Sequence, residues 1–311
     1  MNSYTATHKK LLQWYDTFGR HQLPWRNTKD IYHIYLSEIM LQQTQVNRVM
    51  QEYYPQFLEK FPSLESIAKA KQEDILSLWS GLGYYSRARN LHKTAILSEG
   101  NLPTTQKELM QLPGIGRYTA SAICNFGYNQ NIPVVDTNIS RVLKRYFALI
   151  DISDSDIWKY ATQFLNTLAP RHHNLALMDL GSLVCNVQIP KCKECPLMQS
   201  CLGKEEPSLY IQKKKKEYIS LELYYGIYIK NNQIALQISK ENMYKDMLIL
   251  PNVDPIEENF IGEFKHSYTK YRLEVKLYKV EFLDENFVWI DLEKLLQSPI
   301  SSLTKKASKF F

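Results

Sequence analysis

Leu112-Pro113-Gly114-Ile115-Gly116-Arg117-Tyr118-Thr119-Ala120 sets two glycines, two positions apart, between a helix that ends near Leu112 and another that begins near Arg117. Glycines there let the backbone turn tightly and approach another chain closely. They also leave the free N–H groups at the start of the next helix pointing outward at an anion. The stretch has the form of a helix–hairpin–helix, which grips a nucleic-acid phosphate without reading sequence. A plain helix–helix turn would use the same glycines, so the rest of the chain has to decide between the two.

Around this turn the sequence reads as helix after helix. Apolar residues recur at three- and four-residue spacing over His8 to Phe18, Ile31 to Met50, Ser63 to Ala70, Lys71 to Trp79, Ala88 to Leu97, Gln106 to Leu112, Arg117 to Phe126, Asn138 to Leu149 and Ile157 to Leu168. Pro24, Pro62, Pro103, Pro113, Pro133 and Pro170 fall between them as punctuation. After Cys201 the character changes. Gly203-Lys204-Glu205-Glu206-Pro207 and the run Lys213 to Lys216 lead into segments such as Tyr224 to Ile229 and Arg272 to Tyr278, the second alternating apolar and charged residues as half-buried strands do. The fold expected is mostly α over residues 1–206, a solvated linker at 207–217, and a small α+β domain over 218–311.

A chain of 311 residues with 44% hydrophobic content can bury a sizeable core. No uncharged apolar run is long enough to span a bilayer, and Met1-Asn2-Ser3-Tyr4-Thr5 lacks a signal-peptide pattern. The expectation is a cytoplasmic, monomeric protein in a reducing compartment. Residues 1–204 carry 22 Lys and Arg against 16 Asp and Glu, whereas residues 205–311 carry 16 of each. The basic excess lies where the hairpin lies, which is compatible with phosphate binding.

Four of the five cysteines, Cys185, Cys192, Cys195 and Cys201, follow the spacing Cys-x6-Cys-x2-Cys-x5-Cys. Thiolates so close in a reducing compartment need a shared metal. Zinc sites usually show two paired knuckles and here there is one, so the asymmetric spacing favours a 4Fe–4S cluster with zinc as the competitor. Cys124, in a helix of small residues, reads as a buried structural cysteine.

Two carboxylates sit in contrasting settings. Helical spacing puts Glu38 on the apolar stripe of Ile31, Ile34, Tyr35 and Leu41, which should raise its pKa and make it a general acid. Asp136, in Val134-Val135-Asp136-Thr137-Asn138, runs straight into a helix start, which should keep it ionised. Such a pair suits glycosidic-bond cleavage. Each also has a plainer reading, Asp136 as a helix cap and Glu38 as the partner of an arginine.

Taken together, the motifs closely resemble the MutY family of adenine DNA glycosylases, in the helix–hairpin–helix superfamily that also contains endonuclease III. The match runs from about Leu11 to Cys201 through Leu23-Pro24-Trp25-Arg26, the block Leu36 to Val46 with Glu38-Ile39-Met40-Leu41-Gln42-Gln43-Thr44, and Trp79 to Leu91 with Gly81-Leu82-Gly83-Tyr84-Tyr85. The resemblance implies a helix–hairpin–helix glycosylase with a six-helix part at about 25–133 and an iron–sulfur part at about 1–24 and 134–206. Its partner would be double-stranded DNA containing adenine mispaired with 8-oxoguanine or guanine. Glu38 would protonate the adenine, and Asp136 would stabilise or trap the sugar cation, with Tyr118 and Asn138 positioning that step. Trp25, Arg26 and Asp179 would lie near the flipped base. Gln43 and Tyr84 would enter the stack, with Thr44 and Leu82 near the opposite base. Gly114, Gly116 and Arg117 would meet DNA phosphate, and Cys185, Cys192, Cys195 and Cys201 would hold the cluster.

The rivals are a pyrimidine-damage glycosylase and lyase like endonuclease III, and a non-catalytic DNA-binding module. The lyase uses a lysine where this chain has Tyr118, and a tyrosine cannot form a Schiff base. The module would have lost the two carboxylates, which are present. Thr137 departs from the family's glycine toward endonuclease III. In the last domain, which resembles a reduced form of the hydrolase MutT, Tyr268-Thr269-Lys270 stands where the family has Phe-Ser-His. Thr269 keeps a hydroxyl for the lesion.

Overall fold

In a computed structural model the chain is described over residues 4–211, 217–281 and 287–311. The run Lys213 to Lys216 lies outside the described residues. The chain divides into two compact units. The first comprises Met1–Tyr54, Ser63–Glu65 and Thr94–Lys214, and the second Pro55–Pro62, Ser66–Lys93 and Lys215–Phe311.

The first unit is helical. Helices Thr5–Phe18, Ile31–Leu41, Arg117–Ala122, Thr137–Tyr146, Asp154–Phe164 and Pro170–Leu183 enclose a core that includes Leu11, Ile34, Leu143, Phe164 and Leu180. Two differences from the sequence reading matter. The helix expected over Ile31 to Met50 stops at Leu41 and restarts at Val46, and Gln43 adopts a φ of +57° between the two parts. The polar run Gln42-Gln43-Thr44 is thereby displayed as a loop. Helix Pro170–Leu183 was not foreseen, because Pro170 reads as a stop. It occupies the first turn, where a missing N–H costs nothing.

The second unit carries the strands: β1 (Ile219–Ile227), β2 (Ile229–Lys230), β3 (Gln233–Ile238), β4 (Leu248–Ile249), β5 (Phe260–Tyr268), β6 (Tyr271–Lys279) and β7 (Val288–Asp291). One sheet has the order β1-β6-β5, with β1 parallel and β5 antiparallel to β6, and a second has β2-β3-β4 with β7 also on β3. Leu273, Val275 and Leu277 alternate with exposed Glu274, as expected from the sequence. Helices Gln72–Leu78 and most of Ser86–Leu97 belong to this unit too. The expected α+β character of the last hundred residues therefore holds.

Within the first unit, helices Thr137–Tyr146 and Pro170–Leu183 approach so closely that a Cβ on Gly181 would stand 2.7 Å from Asn138 Cβ and 2.9 Å from its carbonyl oxygen. Only glycine fits that crossing. Gly181→Ala is expected to force the helices apart and to destabilise the fold by about 1–3 kcal/mol, read as a lower denaturation midpoint at an unchanged slope.

Candidate active site

Asp30 starts the helix Ile31–Leu41 by accepting the His33 N–H at 3.1 Å, and that helix turns Glu38 inward. Glu38 is 7% exposed, and its Oε2 accepts a 2.7 Å hydrogen bond from Tyr118 Oη, just after the hairpin. Burial pushes the Glu38 pKa up to about 7, against the opposing pull of the Tyr118 hydrogen bond and of Arg26. The Tyr118 hydroxyl is held well above its ordinary value by burial and by the neighbouring Glu38 and Asp136 carboxyls, so it stays a neutral donor.

Asp136 caps the helix Thr137–Tyr146. Its Oδ1 accepts the Ile139 N–H at 2.7 Å and its Oδ2 accepts Asn138 Nδ2 at 2.8 Å. The bond to the helix N–H is the one foreseen from the sequence and the bond to the Asn138 side chain adds to it, yet burial outweighs them and the Asp136 pKa is raised. Arg141 sets the amide of Asn138 the right way round. One of its terminal nitrogens donates to Asn138 Oδ1 at 2.8 Å and to the Gly181 carbonyl at 2.7 Å, and its Nε donates to the Cys185 carbonyl at 2.8 Å. The amide nitrogen of Asn138 is left facing Asp136.

An open cleft of about 840 Å³, wholly inside the first unit, is lined by Trp25, Arg26, Glu38, Gln43, Thr44, Arg117, Tyr118, Asp136 and Asn138. Nine residues singled out from the sequence thus meet in one place. Asp179 does not line it. Fully buried, it accepts from the Arg20 backbone N–H at 2.9 Å, from Arg20 Nε at 2.8 Å and from Arg26 at 3.1 Å, and so holds two arginines at the cleft's edge. Sequence reasoning missed Arg20, Arg141 and Trp158. The Arg117 guanidinium lies 4.0 Å over the Trp158 ring. An arginine one turn into the helix that Asp136 caps was the visible signal for Arg141; nothing local announces the other two.

In the hairpin Gly114 has a φ of +75°, which glycine adopts without strain. Gly116 differs. Its backbone is extended, and a Cβ there would meet nothing within 4 Å. Neither the packing nor the backbone conformation of the chain itself calls for glycine at 116. Leu82, Tyr84 and Thr269 lie in the second unit. Leu82 is buried there, Tyr84 is half-buried with a φ of +50°, and Thr269 sits at the β5–β6 tip with a φ of +51°.

The four clustered cysteines line one small cavity of about 30 Å³ with Arg145, Leu180 and Leu197. Among the described residues no group of three or more His, Cys, Asp or Glu converges on a single-ion site. Arg145 is 2% exposed and donates to Cys185 Sγ at 3.2 Å and to the Asn186 carbonyl at 2.7 Å, placing positive charge beside the Cys185 sulfur. Burial pushes the Cys195 thiol up to about 12 and raises Cys201.

Comparison with known proteins gives consistent matches. Residues 36–170 match the family described as HhH-GPD superfamily base excision DNA repair protein. The chain is 33% identical over 342 aligned positions to an adenine DNA glycosylase of Buchnera aphidicola subsp. Baizongia pistaciae, covering 97% of each. It is 41% identical over 215 positions to that of Mus musculus, covering 63% of this chain and 41% of the mouse protein. Among solved structures, a thermostable thymine-DNA glycosylase superposes with a TM-score of 0.61 and 28% identity, over 66% of this chain and 100% of that one.

The raised pKa has a consequence for folding. Unfolded, Glu38 titrates near 4.5; folded, near 7. Its neutral form is favoured by the fold, so its contribution is fully present below the unfolded value and is lost as pH rises through about 7. Glu38→Gln stays neutral, so it is expected to exceed the parent in stability at about pH 8 and to converge with it near pH 4, as measured by denaturant unfolding at both values.

Proposed function

The chain belongs to the adenine DNA glycosylase family of the HhH-GPD base excision repair superfamily, and on that premise we propose that it excises adenine mispaired with 8-oxoguanine or guanine by acid-assisted hydrolysis, leaving the strand uncut. One observation carries the reading. A carboxyl with a pKa of about 7 is hydrogen-bonded to Tyr118, at the place where a lyase needs an amine, inside the cleft that also holds Asp136.

In this reading the adenine leaves the stack and enters the cleft beside Trp25 and Arg26. Protonated Glu38 gives its proton to the base, weakening the bond to the sugar. Asp136, turned by Asn138 and Arg141, faces the oxocarbenium-like centre and stabilises or traps it before water completes the hydrolysis. Asp179 acts one step back, holding Arg20 and Arg26. Gln43 and Thr44, on the loop where the helix breaks, meet the duplex, joined by Leu82 and Tyr84. Thr269, on the hairpin of a reduced MutT-like domain, offers its hydroxyl to the lesion.

Cys185, Cys192, Cys195 and Cys201 fit a 4Fe–4S cluster, since their thiols surround one cavity beside the Arg145 cation. When bound it would brace the loop that carries them. A single chain acting on DNA in the cytoplasm suffices for all of this. Gly114, Gly116 and Arg117 receive the DNA phosphate, with Gly116 left bare so that the backbone can approach.

Single-turnover assays on a duplex with adenine opposite 8-oxoguanine are expected to release free adenine without nicking. The rate should fall about tenfold per pH unit above roughly pH 7 as Glu38 loses its proton, and Glu38→Gln should abolish release while duplex affinity survives. Rapid nicking at an oxidised pyrimidine would instead make the chain a lyase. Gly116→Ala is expected to leave the melting temperature unchanged and to weaken duplex binding several-fold in fluorescence anisotropy; parent-like affinity would remove the phosphate from that position.

A further inference from the structure

The segment Trp79 to Arg87, inside the second unit, holds a turn of unusual geometry. Gly81, Gly83 and Tyr84 have φ values of +92°, +79° and +50°. Glycine adopts such angles freely, but tyrosine does so only under strain. Something must hold the turn in place.

Arg87 lies across it. The side chain is 7% exposed and donates to the Gly83 carbonyl at 2.9 Å and to the Leu82 carbonyl at 3.4 Å. Its guanidinium faces the Trp79 ring at 5.3 Å and the Tyr84 ring at 5.6 Å. Trp79 Nε1 donates to the same Gly83 carbonyl at 3.1 Å, and the Gly81 N–H donates to Tyr85 Oη at 3.2 Å. One planar cation therefore grips both the backbone of the turn and the ring of Tyr84. A lysine has the charge but lacks the flat fork that serves two carbonyls and two rings together.

We propose that Arg87 is a positioning residue for the reaction: by clamping the Gly81–Tyr84 turn it fixes the direction in which Tyr84 enters the base stack and keeps the duplex open around the expelled adenine. This rests on the reading that Tyr84 enters the stack. Arg87 touches neither base nor sugar in this scheme, and its effect on stack entry passes through Tyr84. Gly83 supplies an independent handle. A Cβ added there would meet nothing within 4 Å, so Gly83→Ala disturbs the turn's conformational preference and no packing.

The test uses the full chain and a duplex with 8-oxoguanine opposite 2′-fluoro-deoxyadenosine, which resists excision, with 2-aminopurine beside the lesion as reporter of stack entry. Arg87→Lys and Gly83→Ala are each expected to lose most of the 2-aminopurine response and to slow excision from the ordinary duplex roughly tenfold to a hundredfold. In a Tyr84→Ala background, Arg87→Lys should add no further loss. A parent-like response in Arg87→Lys, or a loss that multiplies with that of Tyr84→Ala, overturns the proposal. If Tyr84→Ala itself responds like the parent, the stack-entry reading fails and the proposal with it, which is a different result from failure at Arg87 alone. Circular dichroism checks folding. Should Arg87→Lys misfold, Gly83→Ala decides, and an unchanged response there refutes preorganisation of the turn.

Discussion

The close crossing of helices Thr137–Tyr146 and Pro170–Leu183 at Asn138 and Gly181 is the constraint on which the cleft depends. It fixes the Asn138 backbone against the neighbouring helix, and Arg141 then ties that amide to the Gly181 carbonyl. Asp136 inherits its direction from this contact, since one oxygen caps the helix and the other meets Asn138. Because Arg141 also reaches the Cys185 carbonyl, the carboxylate and the first cysteine of the loop hang from one guanidinium. Arg145, one turn further along, grips the same residue through its sulfur and holds the next carbonyl. The distance between chemistry and cysteine loop is thus spanned by two side chains of a single helix.

Electrostatically the cleft is drier than its carboxyls would choose. Both Glu38 and Asp136 have raised pKa values, and burial is the leading cause in each. They differ in what opposes it. Glu38 has a tyrosine hydroxyl and the charge of Arg26, while Asp136 has the backbone N–H groups of Asn138 and Ile139 at a helix start, the Asn138 side chain and the charge of Arg141. The helix terminus is what sets the surroundings of Asp136 apart from those of Glu38, and a neutral Tyr118 can bond to Glu38 without competing for its proton.

Much of this was legible in the sequence, for definite reasons. Amphipathic spacing located helices such as Thr5–Phe18 and Thr137–Tyr146, because their buried faces repeat locally. The Pro170 helix escaped because proline marks starts as well as ends. The break at Gln42 to Gln45 escaped because apolar residues resume in helical register at Val46. Within the site, Glu38 and Asp136 were readable from patterns a few residues long, whereas Tyr118 came in through the family resemblance. Asp179 was readable only as a pocket carboxyl, since its partnership with Arg20 spans 159 residues. The stacking of Arg117 on Trp158 is equally non-local. The expectation of an ionised Asp136 followed from its capping position alone, and burial, which that local pattern does not show, is what raises its pKa.

Gln43 and Thr269 share a property with the turn at Tyr84. Each is a non-glycine residue held at positive φ, and Thr269 is β-branched in a two-residue hairpin where asparagine or glycine would rest more easily. Replacement by glycine would relax the backbone at either position. Laboratory evolution for heat tolerance alone would therefore drift toward glycine there, trading polar reach for comfort. Backbone comfort and a projecting polar side chain pull in opposite directions at these points, and a hardened version that kept both side chains would have to gain its stability elsewhere.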